Sequence, residues 1–290
     1  EICRLIAEEV HTMYIDSRVR PPYKSYLTQG IYKKENNRSW TSHFDMTYPD
    51  NHPDLTMESM FKNMEDANVG IAMVAGRLRC GESNADDVTE LAAAYPDKLR
   101  CFPDINPLKG EAALKEIDDR VINGPCTGVC MELAANPYEH MYANDRRIWP
   151  IYQKCEENDI PLYLSHGGFL GDDQSYQHPQ LIEDIAQHFP KLRILVAHAC
   201  YPFVVEACHL AMNQPNVYLA PDMYVFGVPG AREYINGANT IIKEKLIYGS
   251  AYPIFDIEKS VEYYLHCGFK DEVLENVMYK NAARFLGIED

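Results

Sequence analysis

Pro161-Leu162-Tyr163-Leu164-Ser165-His166-Gly167-Gly168 opens a stretch that continues through helical apolar spacing over Pro179–Phe189 and a stop at Phe189-Pro190-Lys191. It then enters Arg193-Ile194-Leu195-Val196-Ala197-His198. Two short apolar runs rich in β-formers flank a helix that proline ends, since proline has no amide hydrogen to continue it. Strand, helix and strand in this order make one unit of a parallel sheet.

The same alternation extends in both directions. Strands are expected at Tyr14–Val19, Val69–Ala75, Leu99–Ile105, Gly128–Leu133, Pro161–Ser165, Arg193–Ala197, Val217–Ala220 and Lys245–Tyr248. Between them, helical spacing predicts helices over Met57–Asn68, Asn84–Tyr95, Glu111–Ile122, Arg147–Asn158, Pro179–Phe189 and Phe203–Asn213. Ile257–Cys267 and Asp271–Leu286 supply the last two. Eight strands alternating with helices predict an α/β fold, a closed (β/α)8 TIM barrel, for which about 250 residues in one domain is ordinary. Residues 13–290 form this single domain in our reading, with 1–12 as an N-terminal extension. No Gly-x-Gly-x-x-Gly follows any strand, so a dinucleotide fold lacks its usual support. The segment Pro21–Pro53, rich in Tyr, Asn and His, has no strong periodicity and is expected to cover the barrel mouth.

Composition narrows the function. The 290 residues are 46% hydrophobic and 24% charged, as in a soluble globular protein. A net charge of −16 opposes binding to nucleic acid or an anionic membrane, both of which call for a basic surface. A local basic pocket could still draw in a small acidic molecule. No apolar run approaches the roughly 18 residues of a membrane span, and the first residues lack a signal peptide's basic start and apolar run. A cytoplasmic location is therefore expected. The nine cysteines, odd in number and without a framework, read as reduced thiols. Cys126 and Cys130 lack the partners that would complete a zinc site.

Active sites of such barrels sit at the carboxyl ends of the strands. The residues delivered there are Arg18 and Arg20, Gly76 and Arg77, Asp104 and Asn106, Glu132, His166, His198, Asp222, and Ser250 with Ala251. A polar group at nearly every strand end exceeds what packing requires. Tyr201, Tyr224, Phe226 and Tyr252 follow strand ends and could sandwich a planar substrate, although with 20 tyrosines some must fall near any site.

At these residues the chain resembles the amidohydrolase superfamily, in the branch containing aminocarboxymuconate-semialdehyde decarboxylase and the resorcylate-type decarboxylases. The resemblance runs from about Met13 to the end. It rests on Ile15-Asp16, Leu164-Ser165-His166-Gly167-Gly168, Val196-Ala197-His198-Ala199, Tyr248-Gly249-Ser250-Ala251-Tyr252-Pro253 and Lys280-Asn281-Ala282-Ala283-Arg284-Phe285-Leu286. It implies a divalent metal held by a His-x-His on the first strand, a His on the fifth and an Asp on the eighth, with a sixth-strand His assisting. Here the pair is Arg18 and Arg20, the fifth-strand position is His166, the sixth-strand position is His198 and the eighth is Ala251. Guanidinium groups have no lone pair to donate, so three of the four implied ligands are missing. No cofactor is expected; zinc or another divalent ion would need unforeseen ligands such as Glu132 or Asp222.

The arginines have two readings. They can pair internally with Asp16, Glu132 or Asp222, or present forked donors to a substrate carboxylate or phosphate. The pyrone dicarboxylate lactonase of the same superfamily uses arginines in the second way, although the eighth-strand Asp that serves it as base is Ala251 here. The resulting expectation is a metal-independent hydrolase or lyase for a small carboxylated substrate. Arg18 and Arg20 anchor the anion, His198, Asp222 and His166 are the acid–base candidates, and Arg77, Glu132, Tyr201, Tyr224 and Tyr252 line the pocket. A decarboxylase of an aromatic or unsaturated acid is the alternative, and a ligand-binding descendant without catalysis is a third. A homodimer is what the resemblance implies for assembly.

Overall fold

The structure is a computed structural model and describes residues 13–32, 44, 55–168, 170 and 173–288. The proposed extension, residues 1–12, and most of the long segment after Pro21 lie outside the described residues. Seven strands form in the expected places: β1 Tyr14–Val19, β2 Val69–Ala75, β3 Leu99–Phe102, β4 Val129–Met131, β5 Leu162–Ser165, β6 Ile194–Ala197 and β7 Val217–Ala220. All neighbours are parallel, in the runs β1-β2-β3 and β4-β5-β6-β7. Single parallel bridges, Asp104 to Cys130, Leu219 to Leu246 and Val19 to Tyr252, join the runs and return the order to β1. The architecture is the expected TIM barrel.

The eighth strand, expected at Lys245–Tyr248, is reduced to a bridge. The reason lies in its hydrogen bonds. Leu219 N donates to Lys245 O and Ile247 N to Leu219 O on one side, and Ser17 N to Tyr248 O on the other. Beyond that, side chains replace the ladder: Asp16 Oδ1 takes both Arg18 N and Ser250 N, and Ser17 Oγ donates to Tyr248 O. The backbone is satisfied, so no regular strand is needed.

Helices α1 Met57–Asp66, α2 Asn84–Ala94, α3 Glu111–Ile117, α4 Trp149–Glu157, α5 Pro179–His188, α6 Val204–Asn213, α7 Ala231–Ala238, α8 Ile257–His266, α9 Asp271–Glu275 and α10 Asn281–Leu286 cover the strands. In α5 the His178 side chain caps Gln180 N, Pro179 occupies the first turn, and Ile182, Ile185 and Ala186 face the core at the spacing that predicts the helix. The expected helices over Glu111–Ile122 and Asp271–Leu286 each contain a wider π-turn, at Asp118–Ile122 and Asn276–Lys280. Helix α7 is not among the expected helices; Asn236-Gly237 and the preceding Gly227-Val228-Pro229-Gly230 weaken its local signal, and Tyr234, Ile235 and Ala238 bury its inner face.

Alternation divides the strands into an outer and an inner set. Val74, Val129, Leu164, Val196 and Leu219 face the helices. Ile15, Met73, Phe102, Cys130, Tyr163, Leu195, Tyr218 and Ile247 fill the barrel, closed at its amino end by Phe285 of α10, whose ring stacks 6.0 Å from Phe102. Truncating such a ring to Ala costs about 3–5 kcal/mol.

Strand β1 is irregular where it matters. Asp16 pairs with Ala72 and Val19 with Val74, so Ser17 and Arg18 together oppose the single residue Met73. This bulge puts Arg18 and Arg20 on the inner face while Val19 stays outside, a re-aiming that bulges beside active sites commonly perform. The first described part of the long segment folds over these strand ends as two tight turns, Lys24–Thr28 and Gly30–Tyr32. Ser25 N donates to Asp87 Oδ2, Asn84 Nδ2 to Ser25 Oγ and Tyr26 OH to Ala75 O.

Candidate active site

Backbone strain marks the strand ends. His198, Ala199 and Cys200 after β6, Asp222 after β7, and Ala251 all have left-handed φ between 44° and 66°. Such conformations cost about 1–3 kcal/mol each for residues other than glycine and gather at functional sites. Glycine is obligatory at Gly168 (φ 72°), where an added Cβ would lie 1.9 Å from Tyr224 Oη. The Gly-Gly after His166 thus lets the β5 loop pass directly against the Tyr224 phenol.

Arg18 is 2% exposed and its donors are largely taken. Nη1 donates to Tyr163 OH and Ser165 Oγ, each at 3.2 Å, Nη2 lies 3.0 Å from His198 Nε2, and Nε is 4.0 Å from Asp222 Oδ2. A guanidinium can only donate, so His198 Nε2 must accept. The proton of the neutral ring then sits on Nδ1, which is 2.9 Å from Asp222 Oδ2 in a contact too bent for a well-formed hydrogen bond. Burial lowers the His198 pKa; Asp222 opposes the shift, and Arg18 and Arg20 add to it. The ring is therefore a neutral base, oriented by Asp222 and covered by Arg18.

Arg20 is different. It is 5% exposed, its Nη1 reaches only the carbonyl of Ala251 at 3.2 Å, and its Nε has no acceptor. Among the described residues three arginines are buried, and Arg20 alone has no carboxylate within 4.0 Å. Burial first, and then the charges of Arg18 and Arg77, pull its pKa down to about 9. A buried cation with so little compensation is costly.

The second charged group surrounds Glu132. Arg77 Nη2 binds Glu132 Oε1 at 2.7 Å, and Arg79 binds the same carboxylate through Nε and Nη2 at 2.8 and 3.2 Å. Burial would raise the Glu132 carboxyl, but Arg77, Arg79 and Arg18 together outweigh it and hold the pKa at about 2. Asp104, which accepts from Leu78 N, is pushed up to about 8 by burial, with the Glu132 charge adding to the shift.

Two of the expected site residues make no side-chain hydrogen bond to these groups. His166 Nε2 rests 3.3 Å from His178 O, and burial lowers its pKa to about 4. Tyr252 is fully buried behind Arg20, its carbonyl accepting from Arg20 N. By contrast, Tyr201 stacks on Tyr224 at 4.4 Å, and Tyr224 meets His198 edge-on at 5.5 Å, so this aromatic pair lies beside the imidazole. The structure thus brings together Arg18, Arg20, Arg77, Glu132, His198, Asp222, Tyr201 and Tyr224. Sequence reading missed Tyr163, Ser165, Arg79 and Gln29. Arg79 carried a signal, because Arg77-Leu78-Arg79 repeats the Arg-x-Arg spacing of β1, and so did Ser165, a polar residue at a strand end; Tyr163 and Gln29 carried none.

The donor set does not suit the divalent ion that the resemblance implies. Among the described residues no three His, Cys, Asp or Glu side chains gather around one point. A cation beside His198 would also meet the Arg18 guanidinium at hydrogen-bond distance.

With this geometry in hand, comparison with known sequences is decisive: the amidohydrolase family model matches residues 41–288. The chain belongs to the amidohydrolase family. An uncharacterised TIM-barrel protein of Bordetella bronchiseptica is similar at 30% identity and TM-score 0.85, over 95% of this chain and 98% of that chain. A 2,6-dihydroxybenzoate decarboxylase from Rhizobium shares the fold at 14% identity and TM-score 0.67, over 96% and 99% of the two chains. A 5-carboxyvanillate decarboxylase from Novosphingobium aromaticivorans, solved with manganese and a nitrobenzoic acid, does so at 13% identity and TM-score 0.68, over 95% and 96%. No curated protein matches the sequence. No described helix of this family member is long and apolar enough to cross a membrane.

Proposed function

We propose that this amidohydrolase-family protein is an enzyme that hydrolyses a small, planar, carboxylated substrate with a reactive carbonyl, such as a lactone, without a metal. The observation that carries the reading is the coexistence, at one set of strand ends, of a buried guanidinium lacking a carboxylate, Arg20, and a neutral histidine backed by an aspartate, His198 and Asp222. The first calls for an anion and the second for a proton to remove.

Arg20 holds the substrate carboxylate, with Arg77 adding to the positive field, and Tyr201 and Tyr224 flank the planar body. Negative charge entering the site draws Arg18 Nη2 away from His198 and uncovers Nε2. His198 then takes a proton from water while the water oxygen bonds to the carbonyl carbon. Arg18 faces the developing oxyanion. Collapse breaks the carbon–oxygen bond of the leaving group, which receives the proton from Nε2. Asp222 stabilises the imidazolium in between. Arginines supply charge but do not acidify a bound water as a metal does, so the substrate must be intrinsically reactive. His166, with a pKa of about 4, is unprotonated at neutral pH and contributes as a fixed polar group.

A second reading, decarboxylation of an aromatic acid, draws on the two decarboxylases that share the fold. It requires the departing carboxylate to avoid Arg20, since a firmly held ground state opposes loss of carbon dioxide. The test is turnover of chelator-treated protein on carboxylated lactones and aromatic acids, with carbon dioxide measured in parallel. His198→Ala is expected to lower turnover by roughly 10²–10⁴-fold while carboxylate binding persists. Metal-dependent activity would defeat metal independence, carbon dioxide release would favour the second reading, and binding without turnover on any substrate would defeat the enzyme.

A further inference from the structure

Several buried N–H donors at the strand ends have no acceptor: Nε of Arg18, Arg20 and Arg77, and Nε2 of Gln29. An unpaired buried donor costs about 1–3 kcal/mol, and a cluster of them points to a missing acceptor. Gln29 is not on the barrel. It sits between the turns Lys24–Thr28 and Gly30–Tyr32, with its N–H on Tyr26 O and its carbonyl accepting from Tyr32 N. That strap is tied down beside both arginines, because Tyr26 OH donates to Ala75 O just before Gly76 and Arg77, and Tyr32 OH donates to Arg20 O at 2.6 Å.

The orientation of the Gln29 amide follows from one contact. Arg77 Nη1 donates to Oε1 at 3.1 Å, and because a guanidinium cannot accept, the oxygen must face it and Nε2 is the free end. Arg18 and Arg77 each have both terminal nitrogens engaged, Arg18 by Tyr163, Ser165 and His198 and Arg77 by Gln29 and Glu132. The remaining Nε of Arg18 lies 4.0 Å from the Asp222 carboxylate, whereas Arg20 has no described carboxylate that near, so an arriving acidic group is met first by Arg20 and the free end of the Gln29 amide, which Arg77 holds in place.

We propose that Gln29, Arg20 and Arg77 form a carboxylate subsite separate from the Arg18–His198–Asp222 reaction centre, and that Gln29 sets specificity for substrates whose acidic group is remote from the bond that breaks. The proposal rests on the reading that the site takes an anionic substrate. Its test needs no turnover: calorimetric binding of benzoate, glutarate and neutral benzamide to the full chain and its variants. Gln29→Met is expected to weaken both carboxylates by about 10-fold, the loss of one hydrogen bond to a charged acceptor. Gln29→Glu should weaken them by roughly 100-fold or more, since its own carboxylate would occupy the arginines. Benzamide binding should not change in either variant, and Arg20→Met with Gln29→Met should be non-additive for the carboxylates. If Gln29→Met keeps wild-type carboxylate affinity while Arg20→Met loses it, Gln29 has no such role and the anion site stands. If the wild type binds neither carboxylate, both the subsite and the anionic reading fall.

Discussion

Replacing Arg20 by Met is expected to stabilise the protein while removing its response to carboxylates. The Arg20 charge is buried, has one carbonyl acceptor and faces the repulsion of Arg18 and Arg77. A pKa pulled down to about 9 corresponds to an unfavourable interaction on the order of 5 kcal/mol. Relaxation and residual hydration absorb much of that, and Met keeps most of the apolar stem, so the recovered stability is roughly 1–3 kcal/mol. In a chain of this size that is a rise in melting temperature of about 2–6 °C. The gain should be present at neutral pH, where the guanidinium is charged in the native and the unfolded chain alike. In wild type, benzoate at a hundred times its Kd should add about 2.7 kcal/mol; in the variant it should add almost nothing. Urea unfolding and thermal melts in chloride buffer, with and without benzoate, measure both effects. A variant less stable than wild type in carboxylate-free buffer, or equally stabilised by benzoate, would refute the account of Arg20 as an uncompensated cation awaiting an anion.

The remaining predictions concern its neighbours. Glu132→Gln strands Arg77 and Arg79 beside a neutral group and should cost about 3–5 kcal/mol at neutral pH; the difference is present above the ordinary carboxyl range and fades as pH falls towards 2 in acid titrations of stability. Asp104→Asn should be nearly neutral below about pH 4, where the acid is protonated in the native and unfolded chain alike, and should become increasingly stabilising from the ordinary carboxyl pKa up to about 8, because it removes the decline in wild-type stability over that range. A variant strongly destabilised at pH 6 would show that Asp104 is charged. Gly168→Ala drives a methyl group onto the Tyr224 phenol at a left-handed φ and should cost at least ~2 kcal/mol. An unshifted urea midpoint would contradict that packing.

Much of this molecule was legible in the sequence because parallel barrels repeat a short local code. Tyr14–Val19, Val69–Ala75 and Val217–Ala220 emerge with their expected boundaries; the last two are apolar runs bounded by turn residues, as strands covered on both faces are. The eighth strand fails because its hydrogen bonds pass to Asp16 and Ser17, residues more than 230 positions away. A period of two would put Asp16, Arg18 and Arg20 on one face; the bulge at Ser17–Arg18 breaks that period and depends on how β1 registers against Met73. The candidate site divides in the same way. Residues at strand ends could be named from position alone, whereas Tyr163 and Gln29 enter only because the barrel and the strap bring them to Arg18 and Arg77.

The sequence by itself determined the alternating architecture, the family, and the substitution of Arg18, Arg20 and Ala251 at three positions where metal ligands were implied. These are properties of residue type and local order. Only the tertiary structure separated the two arginines. Arg18 lies against His198, Tyr163 and Ser165, and Arg20 has no carboxylate, a difference that depends on a bulge, an inward strand and partners up to 231 residues distant. Charge in a sequence is fixed by residue type, but its compensation is a matter of distance and burial, and folding decides both.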